Sequence, residues 1–490
     1  MMKMRIFKRS IYMLGLGVMT LVLAPSCNKN FQEINTDPNS SPRVQPENLL
    51  APAIAKVVSY NMSRSQRITN ELMQVTVNMG DGDGRIFRYD IRTSEADYMW
   101  NNLYLQLRNF RDIYEFAEEL NQPEYMAVAQ ICEAWIFSIL TDIYGDIPFT
   151  EALRAKDLNL VRPVFDKQQD IYPALFAKLE EANTLLRGLP ATTRINGSVD
   201  PIFAGDMLKW RTFGNSLYLR LALRLSHKTA LNTPAIIKKI VDESPLIYPI
   251  MVNNDYSAIL RWTGVGAYVS PFATWRPADW YGPRSASFFI DKLNERSDPR
   301  IVTWASLANG DYFGVPSGYP IGQPPVAGSA LHTGLMTNPL LGNILNYGEL
   351  QLILAEAAVK GWISSETAQT YYERGTVAGI ELWNHTVPSF YLTSDLVAWD
   401  DSYSEFEKME LIHLQKYYAL FFTDMQSWFE YRRTGHPVLP IRSGHLNGGK
   451  MPARLNYPVY VQSANRENYM KAVAEQGPDD INTLVWWQRP

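Results

Sequence analysis

The order of apolar and polar positions along the chain predicts a mainly helical protein. Val128, Cys132, Trp135 and Ile139 recur at intervals of three or four residues. So do Trp210, Phe213, Leu217, Leu221 and Leu225, and again Leu350, Ile353, Leu354, Ala357, Ala358 and Gly361. A fourth stripe runs through Leu411, Leu414, Tyr418, Phe421, Met425 and Trp428. That spacing gathers each set on one side of a helix, so each set predicts a helix with a buried face. Many of the periodic segments are short and bounded by Pro or Gly. Helix–turn–helix pairs of this kind can stack side by side, as in tetratricopeptide arrays. No clean repeat of about 34 residues is visible, so the array rests on the pairing alone.

The pattern changes near Trp262. From there to Gly342 lie ten Gly and nine Pro, a density through which regular helix does not run. Ser285 to Leu293 and a turn around Ile301 are the expected exceptions. The same stretch carries Trp262, Tyr268, Trp275, Trp280, Tyr281, Trp304, Tyr312 and Tyr319. Aromatic side chains on loops carried by a helical scaffold suggest a recognition surface, so residues 251–342 are read as an irregular binding subdomain. Gly80 to Thr93 and Gly435 to Pro458 are two further candidate loops.

The front of the chain reads differently. Lys3, Arg5, Lys8 and Arg9 precede an uncharged run from Ile11 to Ala24. That run is shorter than the about 20 residues a membrane-spanning helix needs, and it fits a secretory signal peptide over residues 1–26. Pro25 and Ser26 then lead to Cys27. A small residue directly before a Cys resembles a lipobox, although Leu23 stands one place further from the Cys than in the usual pattern. The processing requires a thiol, which forms the thioether to diacylglycerol before cleavage frees the Cys amine for a further acyl chain. Cys27 is therefore the expected lipidation site and the membrane anchor. Residues 27–46, rich in Asn, Ser and Pro, read as a tether. Residues 47–490 read as one domain.

Composition narrows the function. The 490 residues are 46% hydrophobic with a net charge of −4. That supports a large core and excludes disorder. No basic block is present to neutralise several phosphates, so a nucleic-acid partner is not expected. Only two Cys occur; with Cys27 acylated, Cys132 has no disulfide partner and reads as a small buried residue. The six His are dispersed, with no pair at metal-protease spacing, and no nucleophile elbow, phosphate loop or dinucleotide fingerprint is present. No cofactor, metal or catalytic residue is expected. Asp81 to Arg92 fails as a calcium loop at its third ligand position, Arg85, and at its twelfth, Arg92, and reads as a turn. A glycoside hydrolase stays open as an alternative, because its carboxylate pair is set by distance in space. A scaffold that binds only proteins is a third reading.

Binding a sugar chain needs flat aromatic faces for the apolar side of the ring and polar groups for its hydroxyls. Trp275, Arg276, Asp279, Trp280 and Tyr281 offer both within seven residues, with Trp262 and Tyr268 close in sequence. Arg85 and Tyr89 on the earlier loop complete the candidate set. A peptide would use the same aromatic groups, so glycan and peptide both remain.

Several motifs in order resemble the SusD/RagB family, in its SusD-like nutrient-binding lipoprotein branch. They are the tether Phe31 to Asn39, Trp100 to Tyr104, Thr141 to Phe149, and Asp298-Pro299-Arg300. Glu349 to Trp362, Trp428 to Gly435 and Pro452 to Pro458 complete them. The resemblance implies an all-α domain of tetratricopeptide-like helix pairs supporting a loop-rich binding subdomain. It implies a non-enzymatic protein on the outer membrane, facing the exterior. Such a protein would capture glycan or peptide and hand it to a SusC-like TonB-dependent transporter. Read as residues, Asp142 to Pro148 look like a sharp helix exit, and Trp428, Arg432 and Arg433 look like interhelical packing and ion pairing.

Overall fold

The stripe at Val128 lies on a helix spanning Pro123–Tyr144 in the computed structural model, which describes residues 44–490. Pro123 stands in its first turn, where a missing N–H is harmless. Gly145 ends it at φ +83°, a conformation that residues with a Cβ avoid. The helix is long and apolar enough to cross a membrane by composition, yet nearly all of it is buried inside the protein. It is the central helix of a scaffold, apolar all round because it has neighbours all round.

Five helices follow one another in that scaffold: α1 (Pro46–Arg64), α2 (Ala96–Glu119), α3 (Pro123–Tyr144), α4 (Gln168–Gly188) and α5 (Met207–Arg224). Each packs against the next. The array continues through α6 (Tyr347–Val359), which packs on α5, on α7 (Ala368–Glu381) and on α8 (Glu405–Ala419). The arrangement is the expected tetratricopeptide-like stack. Strands among the described residues are short: β1 (Thr76–Asn78), β2 (Ala258–Ile259), β3 (Pro283–Ser285) and β4 (Asn343–Leu345). They form two antiparallel pairs, β1 with β3 and β2 with β4. Residues Gln45–Pro490 form one compact unit. The signal peptide, most of the tether and Cys27 lie outside the described residues.

Polar side chains begin the helices. Asp206 accepts hydrogen bonds from the Leu208 and Lys209 amides at the start of α5, and Asn346 accepts from Glu349 at the start of α6. Ser404 and Glu407 form a reciprocal capping box on α8. Buried ion pairs then tie the helices across the stack. Arg224 on α5 reaches Asp142 on α3 at 2.7 Å, and Arg220 reaches Glu349 on α6 at 2.6 Å. Arg433 bridges Glu356 and Glu430, and Arg300, paired locally with Asp298 at 2.6 Å, donates to Gln415 on α8 at 3.0 Å. Most of these residues belong to the motifs that carried the family resemblance. Their burial explains the motifs as structure.

The fourth stripe departs from expectation. It covers two helices, α8 and α9 (Gln426–Thr434), with a break between them where Phe422 and Asp424 adopt positive φ. Tertiary packing overrides the periodicity. The break turns Phe421 onto Trp304, with ring centres 4.6 Å apart, and Phe422 towards Phe272 and Trp280. Asn343 secures the turn by donating to the Thr423 hydroxyl at 2.6 Å. The helix expected at Ser285–Leu293 runs from Ser287 to Glu295, because Ser285 is taken by the strand pairing with Thr76.

Candidate functional site

Two loops that lie far apart in sequence leave the scaffold from one place. β1 enters the Gly80 to Thr93 loop, and β3 follows directly on Tyr281. Their register sets Asn78 opposite Pro283 and Val77 opposite Arg284. A third segment joins them. Ser285 donates to Ser329 O at 2.7 Å and Val315 donates to Ser285 O at 2.8 Å. Val77, Phe87, Ala286, Val315 and Tyr319 form a small separate core beneath the junction. The loops therefore share a packed base.

On the first loop, Arg85 is half-buried and its guanidinium lies against Gly80. Tyr89 is buried: its φ of +63° turns the ring under the loop, 4.7 Å from His445. Burial pushes its phenol pKa up. Sequence reasoning missed Arg88, the residue that organises this loop. It donates to Tyr319 O and to Asp81 Oδ1, both at 2.9 Å, and lies over the rings of Tyr319 and Phe87. The other Asp81 oxygen accepts from the Gly322 amide at 2.6 Å. The Arg88 hydrogen bond holds the Asp81 carboxyl below its usual range. Both oxygens are thus engaged in closing a turn. Under the loop, Glu71 accepts from the Phe87 amide at 3.1 Å, and burial raises its pKa to about 7.

The second segment is not loop throughout: Pro277, at home in a first turn, starts a short helix over Pro277–Tyr281 that the Gly and Pro density did not lead one to expect, and the rings of the segment divide into two groups. Trp280 is buried, its indole N–H donating to Leu331 O at 3.1 Å and its ring stacked on Phe422. Trp262 is also buried, with its indole N–H directed at Met62 Sδ at 2.9 Å. With Tyr89 these rings present no face to a solute in this structure. Of the three, Trp280 supports Trp275 directly. Trp275, Tyr268 and Tyr281 are half-buried, so part of each ring is reachable. Trp275 stands edge-on to Phe272 and Trp280, with centres 5.1 Å and 6.3 Å away, so packing orients it without covering it. Beside it Arg276 and Asp279 make a two-pronged pair, both contacts 2.8 Å, in the open. The Arg276 hydrogen bond lowers the Asp279 pKa. A carboxylate held ionised in this way can accept hydrogen bonds from hydroxyls and is poorly suited to donate a proton. The sequence treated Trp275 and Trp280 as equals; the structure divides them into an exposed and a supporting ring.

Elsewhere, Glu356, His413 and Glu430 approach closely enough to suggest a metal site. Arg433, Lys416 and Arg224 already point their charges at those carboxylates, so the cluster is a compensated ion network. A cavity of about 360 Å³ beside Trp100, Tyr104, Leu153, Phe165 and Tyr460 is mainly apolar. Its carboxamide, Asn465, donates to Pro163 O at 2.6 Å, which leaves little to orient a hydroxylated ligand.

The family model described as SusD-like, starch-binding and associating with the outer membrane matches residues 38–458. A chitin-binding protein of solved structure is 27% identical over 91% of this chain and 100% of its own, with a TM-score of 0.75. A SusD homologue from Bacteroides fragilis is 26% identical over 91% and 100%, with a TM-score of 0.78. One from Bacteroides uniformis, 24% identical over 91% and 99%, shares the fold with a TM-score of 0.80. No curated protein matches the chain.

Proposed function

The chain belongs to the SusD-like family, and from that premise we propose that it captures glycan at the loop face. It hands the glycan to a SusC-like TonB-dependent outer-membrane transporter. Cys27 carries the lipid that holds it to the outer membrane, with the body facing the cell exterior. It binds and does not cleave.

One observation carries the reading: half-buried Trp275, braced by Phe272 and Trp280, directly precedes the open Arg276–Asp279 pair. A pyranose presents an apolar C–H face and an equatorial rim of hydroxyls, and this layer offers an aromatic face and a charged two-pronged rim to match. The supporting rings restrict Trp275 before ligand arrives, so little freedom is lost on binding. A relative of the same fold that is described as chitin-binding supports glycan over peptide. The test is calorimetry of the mature protein with chito- and malto-oligosaccharides and with mixed peptides, alongside chromatography of the same mixtures. Heat with an oligosaccharide and no new product is the expected result. Appearance of shorter sugars would make the protein a surface enzyme, and binding of peptides alone would move the ligand class.

A further inference from the structure

A second pocket lies where α7 ends. Residues 254–255, Arg261, residues 338–340 and residues 381–384 enclose about 330 Å³. The space adjoins Trp262, which follows Arg261 and whose amide donates to Pro339 O at 3.4 Å, but Trp275, Arg276 and Asp279 do not line it. Four ring contacts intervene: Trp383 meets Phe421, then Phe422, then Phe272, then Trp275.

The polar groups of the pocket are available. Asp255, Arg261 and Glu381 are exposed, and their side chains make no ion pair or hydrogen bond among the described residues. Asn254 spends its amide on Ala378 O at 3.0 Å, while its Oδ1 is buried with no donor. Asn384, at φ +61°, adds another carboxamide at the rim. Trp383 and Leu340 supply apolar wall.

We propose that this pocket is a second saccharide site that takes one neutral or amino pyranose unit; the proposal rests on the glycan-capture reading. Carboxylates, carboxamides and guanidinium are flat, two-pronged groups that match pairs of neighbouring hydroxyls, and the apolar wall takes a C–H edge. The volume is at the lower end of the range for small-ligand pockets, about 300 Å³, and suits a single ring. Charge sets the selectivity. Asp255 and Glu381 are balanced by Arg261 and by Lys209, whose ammonium donates to Asp255 O at 2.9 Å, and the carbonyl end of α7 adds partial negative charge, so the pocket favours neutral or cationic sugars over acidic ones.

The experiment uses the mature protein with methyl β-glucopyranoside, methyl β-glucosaminide and galacturonic acid as probes, read by saturation-transfer NMR and calorimetry. The two methyl glycosides should bind and galacturonic acid should not. An Asp255→Asn and Glu381→Gln double variant should weaken glycoside binding about tenfold, the loss expected from hydrogen bonds to charged groups. Asn384→Gly should also weaken it, since glycine accepts the positive φ and removes only the side chain. The pocket variants are compared in a Trp275→Ala background, so that stacking of the glycoside on the loop face does not contribute. Equal binding of galacturonic acid, or unchanged affinity in both pocket variants, would overturn the site. If oligosaccharides bind and the glycosides do not, the pocket falls and glycan capture stands. If no sugar of any length binds, both fall.

Discussion

Asp142 on α3 and Arg224 on α5 meet at 2.7 Å in the fully buried middle of the scaffold. The pair does not stand alone. Tyr172 and the indole N–H of Trp487 both donate to the other Asp142 oxygen, at 2.5 Å and 2.7 Å. Arg224 also reaches Gln426 at 2.7 Å and Glu430 at 3.2 Å. One carboxylate thus joins α3, α4, α5 and the C-terminal segment. Removing one member of a buried ionic cluster leaves its partners charged and unpaired, which costs about 3–5 kcal/mol. Asp142→Ala should lower stability by about that amount, and Arg224→Met by a similar amount. Urea unfolding followed by tryptophan fluorescence checks this; a loss under about 1 kcal/mol would show that the cluster relaxes easily.

Trp275 and Trp280 should separate on mutation. Trp275 is half-buried, so Trp275→Ala should leave the melting temperature within a few degrees of the parent and weaken oligosaccharide binding about tenfold. Trp280 is buried against Phe272 and Phe422, so Trp280→Ala opens a cavity worth about 3–5 kcal/mol. Calorimetric binding and thermal unfolding on the same two variants decide it. Equal effects of both on binding at unchanged stability would return Trp280 to the ligand face.

Much of the scaffold was legible because burial imposes a period. Three of the four apolar stripes coincide with observed helices, since a helix in a stack must show its neighbours the same face every turn. The fourth failed at Phe422 because two aromatic clusters on opposite sides compete for adjacent residues, and that demand has no local signature. Site residues were legible only as a neighbourhood. Trp275 and Trp280 share composition and context, and only the packing of Phe422 and the carbonyl of Leu331 decide which ring is covered. Arg88 left no readable trace, because Tyr319, whose carbonyl and ring it meets, comes from a different loop.

Glu71 gives the loop base a pH dependence with a defined sign. Burial raises its pKa from 4.5 to about 7, so the folded state holds a proton that the unfolded chain has released between those values. Folding is then favoured at the acidic end, and this contribution declines as pH rises from about 4.5 to 7. Asp424, raised to about 7 by burial, acts in the same direction. Glu71→Gln keeps an acceptor for the Phe87 amide and removes the titration. Relative to the parent, the variant should gain up to about 3 kcal/mol between pH 5 and pH 8. Denaturant unfolding at the two pH values measures the difference; parallel stability curves would show that Glu71 stays ionised in the fold.

In the proposed function, Cys27 sets where the loop face works. The charged start, the apolar run and the Ser26–Cys27 junction imply that the mature chain begins at an acylated Cys. Each buried methylene contributes about 0.8 kcal/mol, and a single acyl chain anchors only marginally, so stable attachment needs two or more chains. Mass spectrometry of the mature N-terminus should therefore show a diacylglyceryl group on the Cys27 sulfur. Cys27→Ser removes the thiol on which the thioether forms. That variant should lose the membrane fraction while the purified body retains its oligosaccharide affinity, because the binding loops rest on the scaffold. Recovery of unmodified Cys27 from membrane-bound wild-type protein would require another means of attachment and would remove the lipid from the mechanism.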